Sequence, residues 1–461
     1  MLPEAGLAGR RRDARARHRA QREGGASGRE PQVLLPTRLG DRSPPAKQTG
    51  GVRRGELDSR LLILVTMALV AFGLVMVYSA TSAAAAVGGK DPSYYLKRQG
   101  MYAALGLVLM VLAQRWDYRR LRALAPLLVG GSLVLLVAVL AIGPPVNGAR
   151  RWIEFGPAAF QPSELAKLAL CVWAAARLAR RPAPKTLKEL WRPVGALTSV
   201  FCVLLILEPD LGTAIALVVM LAGMLLVAGM PGRTLAAAVA IVSAAGVAAI
   251  WIEPYRRARF FAFLHPWHDA QGTGFQIVQA MIGMGSGHFF GVGLGQGVQK
   301  IFYLPEAHTD MMLANIGEEL GLVGVTAVIG AYALFAYAGL DVAARCRDPF
   351  GKRLAAGLTV LVCGQAAVNI AAVLGVAPLT GIPLPFLSYG GSSIVVLLAG
   401  VGILLNIAQR GGASAASVSD RSRRDGGSRP ARARSGGRAD DTRRARDVRR
   451  VARTRRSAAG S

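Results

Sequence analysis

LPEAHTDMMLANIGEELG, residues 304–321, is the stretch on which the reading of this chain turns. It sets Glu306, His308, Asp310, Glu318 and Glu319 close together in a chain otherwise made of long apolar runs. Thr309 and Asp310 sit where a membrane helix is expected to begin. At ~1.5 Å rise per residue, Glu318 falls roughly 12 Å beyond Asp310, inside the hydrocarbon layer. Ionisable groups at that depth are costly and usually face a cavity or a partner. The stretch is therefore read as the functional centre.

Of 461 residues, 52% are hydrophobic, yet the formal net charge is +28. The charges explain the combination once they are located. Residues 1–60 hold 14 basic and 7 acidic side chains, and residues 409–461 hold 16 and 5. Roughly two-thirds of the excess thus lies in two tails rich in Arg, Gly, Ser and Pro. Such tails bury too little apolar surface to fold alone, so residues 1–57 and 411–461 are expected to be disordered. A solvated cytoplasmic tail fits this composition better than a nucleic-acid site. The first apolar run starts only at Leu61, so a retained signal-anchor is expected rather than a cleavable signal. Cys171, Cys202, Cys346 and Cys363 lack metal-site spacing and read as packing residues, with no disulfide framework.

Apolar runs of spanning length fall near 61–80, 99–113, 123–143, 164–180, 194–208, 211–229, 234–252, 311–340, 354–376 and 391–408. The fold class is an all-α polytopic membrane protein of about ten helices, with a large loop between helices 7 and 8. The domain between the tails spans 58–410. Short loops on one side gather Arg115, Arg119, Arg120, Arg122, Arg177, Arg180, Arg181, Lys185, Lys188, Arg192, Arg233, Arg345, Arg347, Lys352 and Arg353. Both tails fall on that side, which should be the cytoplasm. The other side holds GPPVNGARRWIEFGPAAFQP (143–162), the long segment 253–310, and APLTGIPLPFLSYGGSS (377–393). Within the long segment, FQIVQAMIGMG is too short to span and suits a re-entrant or interfacial helix. The last loop, with three prolines among glycines, suits backbone that lines a cavity. Long ordered loops are usually functional.

An ionised Asp310 at a helix start could act as a general base or hold a divalent cation. The plainer alternative is a cap, with Thr309 or Asp310 closing the first turn. Arg150, Arg151 and Trp152, and Arg256, Arg257 and Arg259 before Phe260 and Phe261, put guanidinium groups where the positive-inside rule disfavours them. Bidentate binding of a pyrophosphate is one reason; neutralising Glu154, Glu253 and Asp269 is the other. Glu164 and Lys167 should pair across a helical turn. Asp210, beside Pro209 and Glu208, reads as an N-cap. His265 and His268 lack a third ligand for a metal. The glycines of GMGSGHFFGVGLGQG follow no strand and do not form a nucleotide loop.

Taken together, VNGARRWIEFGPAAFQPSELAK, LEPDLGTA, GFQIVQAMIGMGSG, FFGVGLGQGVQKIFYLPEAHTD, IGEELGLVG and PLPFLSYGGSS resemble the SEDS family (shape, elongation, division and sporulation proteins) over about 58–408. PEAHTD followed by IGEELG is more similar to the division branch, FtsW-like, than to the RodA-like elongation branch. The resemblance implies a ten-helix peptidoglycan glycosyltransferase that polymerises lipid II at the outer face of the cytoplasmic membrane, at the septum. It implies a class B penicillin-binding protein as transpeptidase partner and other division proteins; the basic tails themselves could bind a cytoskeletal partner. Asp310 falls on the family's essential aspartate and would be the base, directly or through Mg or Mn; no organic cofactor is implied. Arg151, Trp152, Arg256, Arg257, Arg259, Lys300, Glu306, His308, Glu318 and Ser388 are the candidate substrate contacts. Met311 replaces the usual Phe after HTD, and His265 replaces an acidic residue, without removing a proposed catalytic group.

Two rivals remain on the sequence alone. A lipid II flippase would use Glu318 and Glu319 to line a path, though the charged features gather on one side rather than through the whole depth. A scaffold would act through its tails but would not need Asp310.

Overall fold

The computed structural model describes residues 49–89, 91–145, 148–156, 158–301, 304 and 307–425. The side chains of 255–256 and of 412–425, among a few others, lie outside that description, as do Glu306 and the tails at 1–48 and 426–461.

Helices occupy all ten expected places. They are α1 (Thr49–Val87), α2 (Tyr94–Arg115), α3 (Leu121–Ile142), α4 (Pro162–Arg180), a short α5 (Leu187–Leu190) leading into α6 (Ala196–Leu207), α7 (Leu211–Val227) and α8 (Gly232–Ile252). After α9 (Pro254–Leu264) and α10 (Phe275–Ser286) come α11 (Met312–Arg345), α12 (Pro349–Val373) and α13 (Gly391–Asp425). Among the described residues, eight helices are long and apolar enough to cross a bilayer. The other two differ for visible reasons: α7 has 17 residues, and α4 carries Glu164 and Lys167 inside its span. The protein is a multi-pass membrane protein. Helix extends beyond the apolar domain at both ends, from Thr49 and to Asp425, into stretches whose composition suggested tails.

Small residues set the closest helix contacts. Where α2 meets α13, a Cβ on Gly402 would lie 2.2 Å from the Met110 carbonyl, and one on Gly391 would lie 2.4 Å from the Tyr102 ring. Without side chains there, the backbones come together and van der Waals packing is maximised, which is the dominant attraction between helices in lipid. By contrast, α8 buries none of its residues.

The end opposite the basic loops carries the ordered loops. Residues 153–160 form an antiparallel hairpin, β1 (Ile153–Phe155) with β2 (Ala158–Phe160), in register Ile153↔Phe160. It docks through Ala159 N–H to the Tyr102 hydroxyl (3.1 Å) and Gln161 N–H to Ser392 Oγ (3.3 Å). The 377–390 loop packs into the bundle, with Leu384, Phe386 and Leu387 buried. Irregular backbone there needs its carbonyls satisfied. Asn369 and Gln365 donate to Ile382 and Pro383, at 2.7 and 3.0 Å, and the Tyr332 hydroxyl donates to Pro385.

The long α11 is broken at Gly321, whose φ of 65° and ψ of −158° are not helical. The break is filled by a strap, residues 287–301. In an unbroken helix the carbonyls of Glu318 and Glu319 would accept from Leu322 and Val323. Here they accept instead from Val292 (3.0 Å) and Gly293 (3.0 Å), while Leu322 and Val323 donate to His288 (2.9 Å) and Phe289 (3.2 Å). Two helical bonds are exchanged for two on each side of the strap. Glycine makes the approach possible: a Cβ on Gly291 (φ +80°) would sit 2.1 Å from the Glu319 carbonyl, and one on Gly287 1.9 Å from that of Gly317. α10 packs on the first half of α11 through Ile277, Val278, Ala280 and Gly283, so the apolar segment expected to be re-entrant or interfacial is a short helix against the bundle.

Candidate active site

Asp310 lies two residues before α11, not at its cap. The N-cap position belongs to Met311, whose side chain makes no capping bond. The sequence alternative places Asp310 or Thr309 at that position. Asp310 is half-buried, its backbone carbonyl accepts from Asn369 Nδ2 at 2.7 Å, and Thr309 Oγ1 donates to its carboxylate at 3.3 Å. The carboxylate faces the Pro-rich loop: a Cβ on Gly381 would be 4.0 Å from Asp310 Oδ2.

That loop also touches the opposite wall. A Cβ on Gly212, at the start of α7, would be 2.5 Å from the Thr380 carbonyl. Just before it, Asp210 caps α7, accepting from Thr213 N–H at 3.1 Å, from Thr213 Oγ1 at 2.8 Å and from Gln161 at 3.2 Å. Arg151 closes the wall. Its guanidinium donates to the backbone carbonyls of Glu208 (3.1 Å) and Pro209. Arg151 thus lies on the turn that leads into α7, whose first residues touch the same loop that Asp310 faces. Trp152 is half-buried beside Arg151.

His308 joins an aromatic group. Its ring lies 5.0 Å from Tyr95 and 5.6 Å from Tyr389, and its carbonyl accepts from Tyr389 N–H at 2.8 Å. Arg98 donates to Tyr94 Oη at 3.1 Å at the same helix start.

The remaining expected contacts are placed elsewhere. Lys300 is buried and pairs with Glu319 at 2.6 Å, and both bond Ser79 on α1. Glu318, also buried, accepts from the backbone N–H of Val298 (2.7 Å) and Gln299 (3.2 Å). These groups hold the strap to α1 and α11 and have no surface left for substrate. Ser388 is likewise buried, its hydroxyl accepting from Leu384 N–H at 2.9 Å and its carbonyl from Gln99 at 3.2 Å. Arg257 and Arg259 ride on α9, which packs on α8 and the turn at 266–269; Arg256 shares that helix by its backbone. Asp269 is occupied by Thr273, whose N–H and hydroxyl hold its pKa below the usual carboxylate range.

Glu164 and Lys167 pair at 2.9 Å, as their spacing predicts, and Lys167 also donates to Gln365 at 2.9 Å. Sequence reasoning missed Asn369, Gln365 and Gln99, which hold the site loops. Polar residues in the middle of apolar runs were the available signal. No three His, Cys, Asp or Glu side chains gather into a metal site among the described residues.

The sequence profile of the FtsW/RodA/SpoVE cell cycle proteins matches residues 59–411. The probable peptidoglycan glycosyltransferase FtsW of Geobacter metallireducens is 42% identical over 353 residues, 76% of this chain and 94% of that protein. Its counterpart in Halomonas elongata is 40% identical, over 75% and 89%. Among solved structures, a peptidoglycan synthase complex studied for the coordination of polymerization and crosslinking aligns with a TM-score of 0.64 at 33% identity, covering 76% of this chain and 97% of that one. Thermus thermophilus RodA aligns with a TM-score of 0.54 at 32% identity, over 76% and 95%. With the helical domain matched almost from end to end, the chain belongs to the FtsW/RodA/SpoVE family of cell cycle proteins.

Proposed function

We infer that this protein is the division-type peptidoglycan glycosyltransferase, polymerising lipid II at the outer face of the cytoplasmic membrane during septal wall synthesis. Its similarity to FtsW proteins supports the reaction class and the division role. The single structural observation that supports the assignment of Asp310 is its placement: its backbone carbonyl is anchored by Asn369 and its carboxylate faces the packed 377–390 loop. It stands at the end away from the basic loops, which the positive-inside rule makes extracytoplasmic.

In the reaction, the 4-hydroxyl of an acceptor GlcNAc attacks C1 of the donor MurNAc. The C1–O bond to the pyrophosphate breaks, undecaprenyl pyrophosphate leaves with the bonding pair, and the anomeric centre inverts. Asp310 takes the hydroxyl proton. Arg151, held by two backbone carbonyls and so fixed in direction, faces the charge that grows on the leaving pyrophosphate. A divalent cation, if bound, would neutralise part of that charge alongside Asp310. A class B penicillin-binding protein as crosslinking partner is supported by the solved synthase complex with the same fold. Other division proteins, and a cytoskeletal partner for the basic tails, complete the proposed partners.

The flippase alternative loses its main support, because Glu318 and Glu319 are consumed by the strap. The test is glycan polymerisation from purified lipid II by the chain co-purified with its class B partner, comparing wild type with Asp310→Asn. Polymer from wild type only, with lipid II still bound by the variant, is expected. Near-normal polymer from the variant would remove Asp310 from the chemistry.

A further inference from the structure

Glu208 ends α6 directly beneath the Arg151 guanidinium. It is fully buried, and neither carboxylate oxygen has a hydrogen-bond partner. Two charged groups face it. Asp210 is already engaged by Thr213 and Gln161. Arg151 donates to the Glu208 and Pro209 carbonyls, so it is anchored by neutral dipoles rather than by the carboxylate beside it. On α4, which also packs against α6, Glu164 and Lys167 neutralise each other. α3 presents no ionisable side chain at this end.

A buried carboxyl with no donor is poorly tolerated as an anion and keeps its proton. Burial, reinforced by Asp210 and opposed by Arg151, pushes Glu208 up to about 8. An ionised Glu208 would instead offer Arg151 a charged partner, and guanidinium–carboxylate bonds are among the strongest a side chain makes.

Building on the glycosyltransferase reading above, we propose that Glu208 is a positioning residue: as a neutral acid it leaves the charge of Arg151 uncompensated and available to the pyrophosphate of the lipid-linked donor. Its protonation decides whether Arg151 bonds the substrate or the protein. A carboxyl, rather than an amide or an apolar group, then makes donor binding fall as pH rises.

The experiment measures lipid II affinity by fluorescence anisotropy, and KM and kcat for polymerisation, from pH 6.5 to 9.5. Wild type and Glu208→Gln are each co-purified with the class B partner. Wild-type Kd and KM should rise about tenfold between pH 7 and 9.5, the effect of one pKa unit of coupling. Glu208→Gln should hold both flat. Coincident profiles would overturn the proposal, and so would a flat wild-type profile, which needs no variant at all. If wild type binds lipid II with the expected pH dependence but makes no polymer, the role of Glu208 stands and the catalytic reading falls.

A purely structural Glu208 would act on stability alone, and the sign there is fixed. The unfolded carboxyl titrates near the ordinary 4.5 and the folded one near 8, so the native state holds the extra proton between these values. Stability then falls as pH rises through that window and stays low above it. Glu208→Gln removes this slope, and a change in melting temperature without any change in Kd would also count against the proposal.

Discussion

One side-chain nitrogen, Asn369 Nδ2, lies 2.7 Å from the backbone carbonyl of Asp310 and 2.7 Å from that of Ile382. A single amide on α12 therefore ties the segment that bears the proposed base to the loop that the base faces.

Replacing Asn369 by Leu keeps the volume and removes both bonds. Each orphaned carbonyl costs about 1–3 kcal/mol, and part of that cost appears as misplacement of Asp310. Polymerisation should fall about 10- to 100-fold in kcat, while lipid II binding changes little. Single-turnover rates set beside binding isotherms check this; an unchanged kcat would show that Asp310 is held by other means.

Lys300 and Glu319 form a pair with almost no solvent access. Lys300→Met leaves a buried carboxylate uncompensated and should destabilise by about 3–5 kcal/mol. Adding Glu319→Leu removes the stranded charge and should recover most of that loss. Thermal unfolding in detergent of both single variants and the double one reads the coupling. Polymerisation by the double variant should survive, since neither residue faces substrate.

Gly285 and Gly287 lie two residues apart and make opposite predictions. Nothing lies within 4 Å of a Cβ on Gly285, at the end of α10, so Ala there should be neutral or stabilise by up to about 1 kcal/mol. At Gly287 the added methyl meets the Gly317 carbonyl at 1.9 Å, and the strap cannot seat. Gly287→Ala should abolish the monodisperse peak in size-exclusion chromatography, while Gly285→Ala should keep it.

The ten helices were legible because spanning length and hydropathy are local properties. The Glu164–Lys167 pair and the Asp210 cap were legible for the same reason: each is settled within one turn. The burial of Lys300 and Ser388 was not legible because their distant partners, Glu319 and Ser79 for the one and Gln99 for the other, come from elsewhere in the fold. Composition can show that a lysine sits in a polar loop, but not that the loop turns inward. The Arg256–Arg259 cluster was read as a substrate contact by charge logic alone, and its helix packs beside α8. Glu208 gave no sign in sequence, since a carboxyl before Pro209 in a short turn reads as a surface residue until the neighbouring helices close over it.

The break in α11 has a bearing on how the chain is made. Because the strap supplies a partner for every helical group it displaces, a continuous α11 and a broken one leave the same helix backbone groups satisfied. During synthesis, α11 can enter the bilayer as an ordinary uninterrupted helix, with no peptide group bared to lipid. Both arrangements of α11 are therefore compatible with the membrane, and what the strap adds is two further hydrogen bonds that tie residues 288–293 to the break.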